Sequence, residues 1–244
     1  MNIIAFVLGT IFGSFLGVII DRLPSGRNIA TGRSQCDSCS KTLGPLDLIP
    51  IFSFLKSKAR CAYCKSPLSW RYLHLELITG LAYLLVYLKT GIQIEFILGA
   101  ILASLLIVIA YIDIDTIMIY DRFHVLILIL GLCFWILDPG TLNSRLLGMV
   151  IVSIPYLLLA ILTKGIGGGD VKLIAAAGFL LAWPNTLLAF ILATLLGGVY
   201  GIYLLLSKKS SAKDAIPFGP YLCIGIFIAY LYGPMIINFY ISLF

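Results

Sequence analysis

The sequence predicts an all-α polytopic membrane protein with about eight transmembrane helices, and three observations carry that expectation. Of its 244 residues 61% are hydrophobic and only 11% charged, against roughly a quarter charged in soluble domains. Uncharged apolar stretches recur along nearly the whole chain, close to the ~20 residues a helix needs to cross the hydrocarbon. These stretches are continuously apolar instead of alternating every second residue, which favours helices over an outer-membrane barrel.

Spanning helices are expected near 2–20, 72–88, 93–112, 122–138, 143–163, 171–183, 186–206 and 218–243. No Lys or Arg precedes the first stretch, whereas Arg22, Arg27 and Arg33 follow it, so it reads as a retained anchor and not a cleaved signal. The sizeable polar segment, 21–71, holds nine of the 17 Lys and Arg residues and is placed in the cytosol by the positive-inside tendency. Alternating from there puts Arg122, Lys164, Lys172, Lys208, Lys209 and Lys213 inside, leaves Lys89 and Arg145 outside, and sets the N-terminus outside. The stretch 171–183 rises only about 20 Å as a helix, short of a ~30 Å core. Charge parity nevertheless requires it, with a break at Pro184 and Asn185. The net charge of +6 thus sits beside membrane spans and sets orientation; the lipid bilayer is the expected partner and nucleic acid is not. The chain divides into a first transmembrane helix (1–20), a cytosolic loop (21–71) and a transmembrane domain (72–244).

Within the loop, Cys36 and Cys39 form one CxxC pair and Cys61 and Cys64 a second. Two such turns present four thiolates, enough for the closed tetrahedral shell of structural zinc. A full sulfur shell leaves no position for an activated water, so the metal is assigned to structure. Disulfides are the competing reading, disfavoured by a reducing cytosol. Cys133 and Cys223 stand alone in apolar spans and read as small core residues.

Acidic groups in or beside spanning helices are costly, which marks them as functional candidates. Asp113 lies in YIDIDT at the cytosolic end of the third span, and Asp170 closes GIGGGD before the sixth. Two intervening passes return the chain to the same face, so the carboxylates are able to meet. A pair sharing one proton has split apparent pKa values; the ionised member activates water while the protonated member polarises a carbonyl. Gly165, Gly167, Gly168 and Gly169 leave room for an extended substrate beside Asp170. Competing readings stay open here. Asp170 also reads as a helix N-cap, and Asp115 and Asp121 as solvated loop ends. A transporter or channel using intramembrane aspartates for cations accounts for the acids, though not for the cysteines. Asp113 and Asp115 point about 200° apart on a helix, and periodicity alone does not choose between them.

With these residues in place, the chain resembles the type IV prepilin leader peptidases, which are GxGD membrane aspartic peptidases. GSFLGVIIDRLP from Gly13, both CxxC pairs, DLIPIFS from Asp47, LSWRYLHLELITG from Leu68, YIDIDT, GGGDVKL from Gly167 and PFGPYL from Pro217 follow the family's order over nearly the full length. The resemblance implies cleavage of the basic leader of prepilins or pseudopilins at the cytosolic membrane face. It also selects Asp113 and Asp170 as the catalytic pair, with Asp115 and Asp121 in support. It further implies N-methylation of the new terminus with S-adenosylmethionine, for which Arg71, Tyr72 and Glu76 are the matching cofactor-site positions. Gly167, Gly168 and Gly169 become the substrate-binding segment. The chain departs from the family pattern at Gly17, Asp21 and Leu73, all in the methylation half, and at Tyr120.

Overall fold

Two compact units, Met1–Ser104 and Leu105–Phe244, divide the computed structural model. It describes every residue except 30, 31, 33, 37, 164, 208–215 and 244. Arg33, Lys164, Lys208, Lys209 and Lys213, which enter the charge argument, therefore lie outside the described residues. Among those described there is no β-strand; the only bridges are two isolated ones, Gln35 with Thr42 and Arg60 with Pro67.

The first unit holds α1 (Asn2–Arg22), the short α2 (Phe52–Lys56), α3 (Trp70–Thr90) and the start of α4 (Ile94–Thr116). The hydroxyl of Ser69 accepts the Arg71 amide at 3.2 Å and caps α3, while Gly91 ends it at a φ of 68°. Gly9, Gly13 and Gly17 recur every fourth residue along α1 and present one small-residue face, the arrangement that lets membrane helices approach closely. A β-carbon on Gly13 would lie 2.8 Å from Glu76 Cα and 2.9 Å from the Leu75 carbonyl. Close α1–α3 packing thus depends on glycine at that position.

The second unit contains the rest of α4, then α5 (Asp121–Leu137), α6 (Leu142–Ile151), α7 (Ser153–Thr163), α8 (Gly168–Leu181), α9 (Trp183–Leu206) and α10 (Gly219–Ile241). Every stretch expected to span is helical. The expected 143–163 helix is α6 and α7, which meet at Val152. Among the described residues, six segments are long and apolar enough to cross a membrane: α1, α3, α4, Pro139–Thr163, α9 and α10. Helices α5 and α8, with 17 and 14 residues, are shorter. The break expected near Pro184 falls at Ala182, whose φ of 65° turns the chain before Pro184 enters the first turn of α9.

Short α8 is the centre of this unit. It packs against α5, α6, α7, α9 and α10, and nine of its fourteen residues are buried. Gly148 of α6 and Gly178 of α8 meet backbone to backbone, so that a β-carbon on either would collide with the other's carbonyl oxygen. The last carbonyls of a helix have no partner within it, and in an apolar bundle water does not supply one. Arg145, 8% exposed, does: its Nη1 donates to the Leu180 carbonyl at 2.6 Å and to that of Phe179 at 3.2 Å, while Nε donates to the Thr141 hydroxyl at 2.8 Å. A buried cation at a helix C-terminus is also favoured by the helix dipole.

Candidate active site and cysteine centre

Helix α4 selects between its two aspartates by phase. Leu102, Leu106 and Ile109 are buried at helical spacing, and Asp113 continues their stripe at 4% exposure. Asp115, half a turn round, is exposed. The buried carboxylate of Asp113 is met by α10, whose first amide, Gly219 N–H, donates to Asp113 Oδ2 at 2.9 Å. A β-carbon at Gly219 would lie 2.6 Å from that oxygen, so only glycine lets the helix N-terminus come this close to the carboxylate.

Asp170 is the third residue of α8; the N-cap is Gly167, and Asp170 does not take that position. Its Oδ2 folds back to within 3.0 Å of where a β-carbon of Gly167 would stand, and a β-carbon on Gly169 would press on Ile119. None of Gly165, Gly167, Gly168 and Gly169 has a positive φ; what this segment draws from glycine is space. Asp170 Oδ1 is buried without a hydrogen-bond partner among the described residues.

Asp113, Asp170 and Gly167, Gly168 and Gly169 all line one cavity of about 580 Å³. Tyr156 and Phe218 also line it. Outside the cavity, Lys172 Nζ pairs with Asp121 Oδ1 at 2.6 Å, and His124 Nδ1 stands 3.4 Å from the same oxygen. This ties the start of α8 to the start of α5.

In the first unit, the two CxxC segments fold alike. The Cys36 amide donates to the Lys41 carbonyl and the Ser40 amide returns to the Cys36 carbonyl; Cys61 with Ser66 and Lys65 repeats the pattern. Ser40 and Lys65 close the two turns at φ of 55° and 61°. The four sulfurs lie within 4.8 Å of one another, with Cys36 and Cys64 at 3.8 Å. Zinc–sulfur bonds of about 2.3 Å in a tetrahedron imply sulfurs roughly 3.8 Å apart, so the cluster fits the ion. Backbone amides of Cys39 and Ser38 directed at its sulfur hold the Cys36 thiol down to about 6, and the Ser66 hydroxyl lowers that of Cys64. Both favour thiolates, the form that binds metal, whereas at Cys39 the Lys41 backbone's lowering effect is outweighed by burial and the sulfurs of Cys64 and Cys36, which push the thiol up to about 11.

Tyr72 and Glu76, one turn apart on α3, both have protein partners. The Tyr72 hydroxyl donates to Asp21 Oδ2 at 3.1 Å. Glu76, 8% exposed, accepts the Ile51 amide at 2.7 Å and pins a residue whose φ of 62° is strained for a β-branched side chain. Arg71 lies at the head of α3 with its Nε buried. An angle of about 140° separates Arg71 from Glu76 around the helix, so these two do not share a face.

The sequence reading did not single out Gly219, Tyr156 or Arg145. PFGPYL carries Gly219, but nothing in it says that its amide faces Asp113. Tyr156 reads as one more ring in an apolar span, and Arg145 as a charge at the outer end of that span.

Fold and site together define a polytopic helical membrane protein in which aspartates from two helices converge on one cavity. Residues 7–90 match the bacterial peptidase A24 N-terminal domain, and residues 100–202 match the type IV leader peptidase family. The chain is 34% identical over 244 residues to the prepilin leader peptidase/N-methyltransferase of Bacillus subtilis (strain 168), with 98% of each chain covered. It is 30% identical over 271 residues to the enzyme of that name from Aeromonas salmonicida (strain A449), covering 98% of this chain and 93% of the relative. No solved structure matches. The chain belongs to the type IV leader peptidase family and is a membrane peptidase.

Proposed function

We propose that this peptidase removes the leader from prepilins or pseudopilins by general acid–base hydrolysis between Asp113 and Asp170. The observation that carries the reading is the arrival of these two carboxylates, 57 residues apart in sequence, on one cavity from α4 and α8. One aspartate is ionised and takes a proton from water as the water oxygen bonds to the scissile carbonyl carbon; the other, protonated, meets the carbonyl oxygen. Collapse of the tetrahedral intermediate then passes a proton to the departing amine. Gly167, Gly168 and Gly169 leave a wall without side chains, against which an extended segment lies. A channel for cations gains no support from the family match.

The remaining assignments belong to the same reading. With eight passes, the N-terminus outside, the cysteine loop in the cytosol and the aspartates at the cytosolic membrane face, the cavity would open where a basic leader is presented. Cys36, Cys39, Cys61 and Cys64 hold a structural zinc. The relatives' names support a second activity, methylation of the new N-terminal amine, for which S-adenosylmethionine supplies the methyl group. Residues 1–20 and 21–71 serve that activity, with Arg71, Tyr72 and Glu76 as the residues proposed near the cofactor, and residues 72–244 form the peptidase domain.

Mass analysis of a prepilin co-expressed with the enzyme tests both halves, since one spectrum reads leader loss and an added methyl group. Asp113→Asn and Asp170→Asn are each expected to abolish leader loss. Cleavage surviving either change overturns the dyad.

A further inference from the structure

The dyad leaves one polar group on the cavity wall without a task. Tyr156 of α7 lines the cavity with both aspartates and is 8% exposed. Its ring is caged by Phe190 of α9, with centroids 5.1 Å apart and planes at 69°, and by Phe218, at 6.1 Å. Phe218 immediately precedes Gly219, whose amide holds Asp113. The tyrosine ring is therefore fixed by the same turn that fixes one of the carboxylates.

The hydroxyl makes no hydrogen bond among the described residues, nor does the buried Oδ1 of Asp170 on the same cavity. A phenylalanine would fill the aromatic cage equally well, so packing alone does not call for the hydroxyl. Interfacial anchoring, the ordinary use of tyrosine in a membrane span, does not suit a ring this buried between two others. A rigidly held donor on the wall of the cavity that both carboxylates line is instead what stabilises charge that develops during a reaction.

We propose that Tyr156 is a catalytic residue whose hydroxyl donates a hydrogen bond to the scissile carbonyl oxygen as that oxygen becomes anionic. This rests on the dyad reading above. When the water oxygen bonds to the carbonyl carbon, its proton goes to the ionised aspartate and the carbonyl π pair moves onto oxygen. That oxygen is met by the protonated aspartate and by Tyr156, which keeps its own proton throughout. Collapse restores the carbonyl and releases the amine.

The test is Tyr156→Phe in the full-length enzyme, which keeps both ring contacts and deletes only the hydroxyl. It is assayed in lipid nanodiscs with a purified prepilin, beside Asp113→Asn and Asp170→Asn. The expected result is a fall in kcat on the order of 100-fold, with KM moving less than about threefold and the melting temperature unchanged. A kcat within about twofold of the parent overturns the proposal. So does a loss of rate accompanied by a raised KM or a lowered melting temperature, because Tyr156 is then a packing residue. If the aspartate variants still cleave, the dyad reading fails; if they are inactive while Tyr156→Phe is fully active, only the role of Tyr156 fails.

Discussion

The amide of Gly219 donates to the carboxylate of Asp113 across 106 residues of sequence, and the 2.9 Å contact is buried. A helix N-terminus carries partial positive charge and unpaired amides, so α10 both orients this carboxylate and offsets the cost of its burial. Gly219→Ala puts a β-carbon 2.6 Å from Asp113 Oδ2 and forces the carboxylate or the helix to move. Prepilin cleavage is expected to fall roughly tenfold or more, as displacements near 1 Å do at catalytic groups, while the protein still folds. Steady-state rates on purified enzyme check this.

Removing Arg145 leaves the carbonyls of Phe179 and Leu180 with no donor inside the bundle. Arg145→Met keeps most of the side-chain volume and is expected to destabilise the protein by about 2–4 kcal/mol, read as a lowered thermal midpoint in detergent. An unchanged midpoint shows that these carbonyls find water.

The α6–α8 crossing tolerates no side chain at its closest point. Gly148→Val is expected to lower stability by at least about 1–3 kcal/mol through overpacking, whereas Gly168→Ala, with nothing within 4 Å of its β-carbon position, is expected to leave stability within about 0.5 kcal/mol. Paired melting curves compare the two.

Metal should be found at one zinc per chain and lost in Cys36→Ser or Cys61→Ser. Because Cys36 is held down to about 6, its thiolate persists above that pH and is lost as the pH falls through it. Ion release, followed with a metal-sensitive dye, is expected to begin only in acid, since bound metal itself further favours thiolate. Release that increases instead toward alkaline pH contradicts thiolate ligation.

Much of this architecture is legible as one-dimensional hydropathy. Each helix of the second unit coincides with an apolar stretch, α8 included, although its length alone would not mark it as a span. The choice of Asp113 over Asp115 is less accessible. In a helix apolar on every side, the buried stripe of Leu102, Leu106 and Ile109 has no polar face to contrast with, and only the packed structure or the family motif reveals it. Contacts between distant segments are hidden altogether. Arg145 reads as a charge at the outer end of a span because the end of α8 lies about 35 residues away in sequence. Glu76 suggests a ligand group, but no pattern announces that its partner is a strained isoleucine amide.

The length of α8 has a consequence for what can be cut. Fourteen residues rise about 21 Å, so a helix of that reach cannot bring both ends to the surfaces of a ~30 Å hydrocarbon layer. With its Arg145-bound end at one surface, Asp170 near the other end would lie below the opposite one. On the proposed function, a chain segment would then have to descend toward the cavity to be hydrolysed. On that same function, such depth would favour unstructured stretches bordering a membrane helix over bulky soluble proteins.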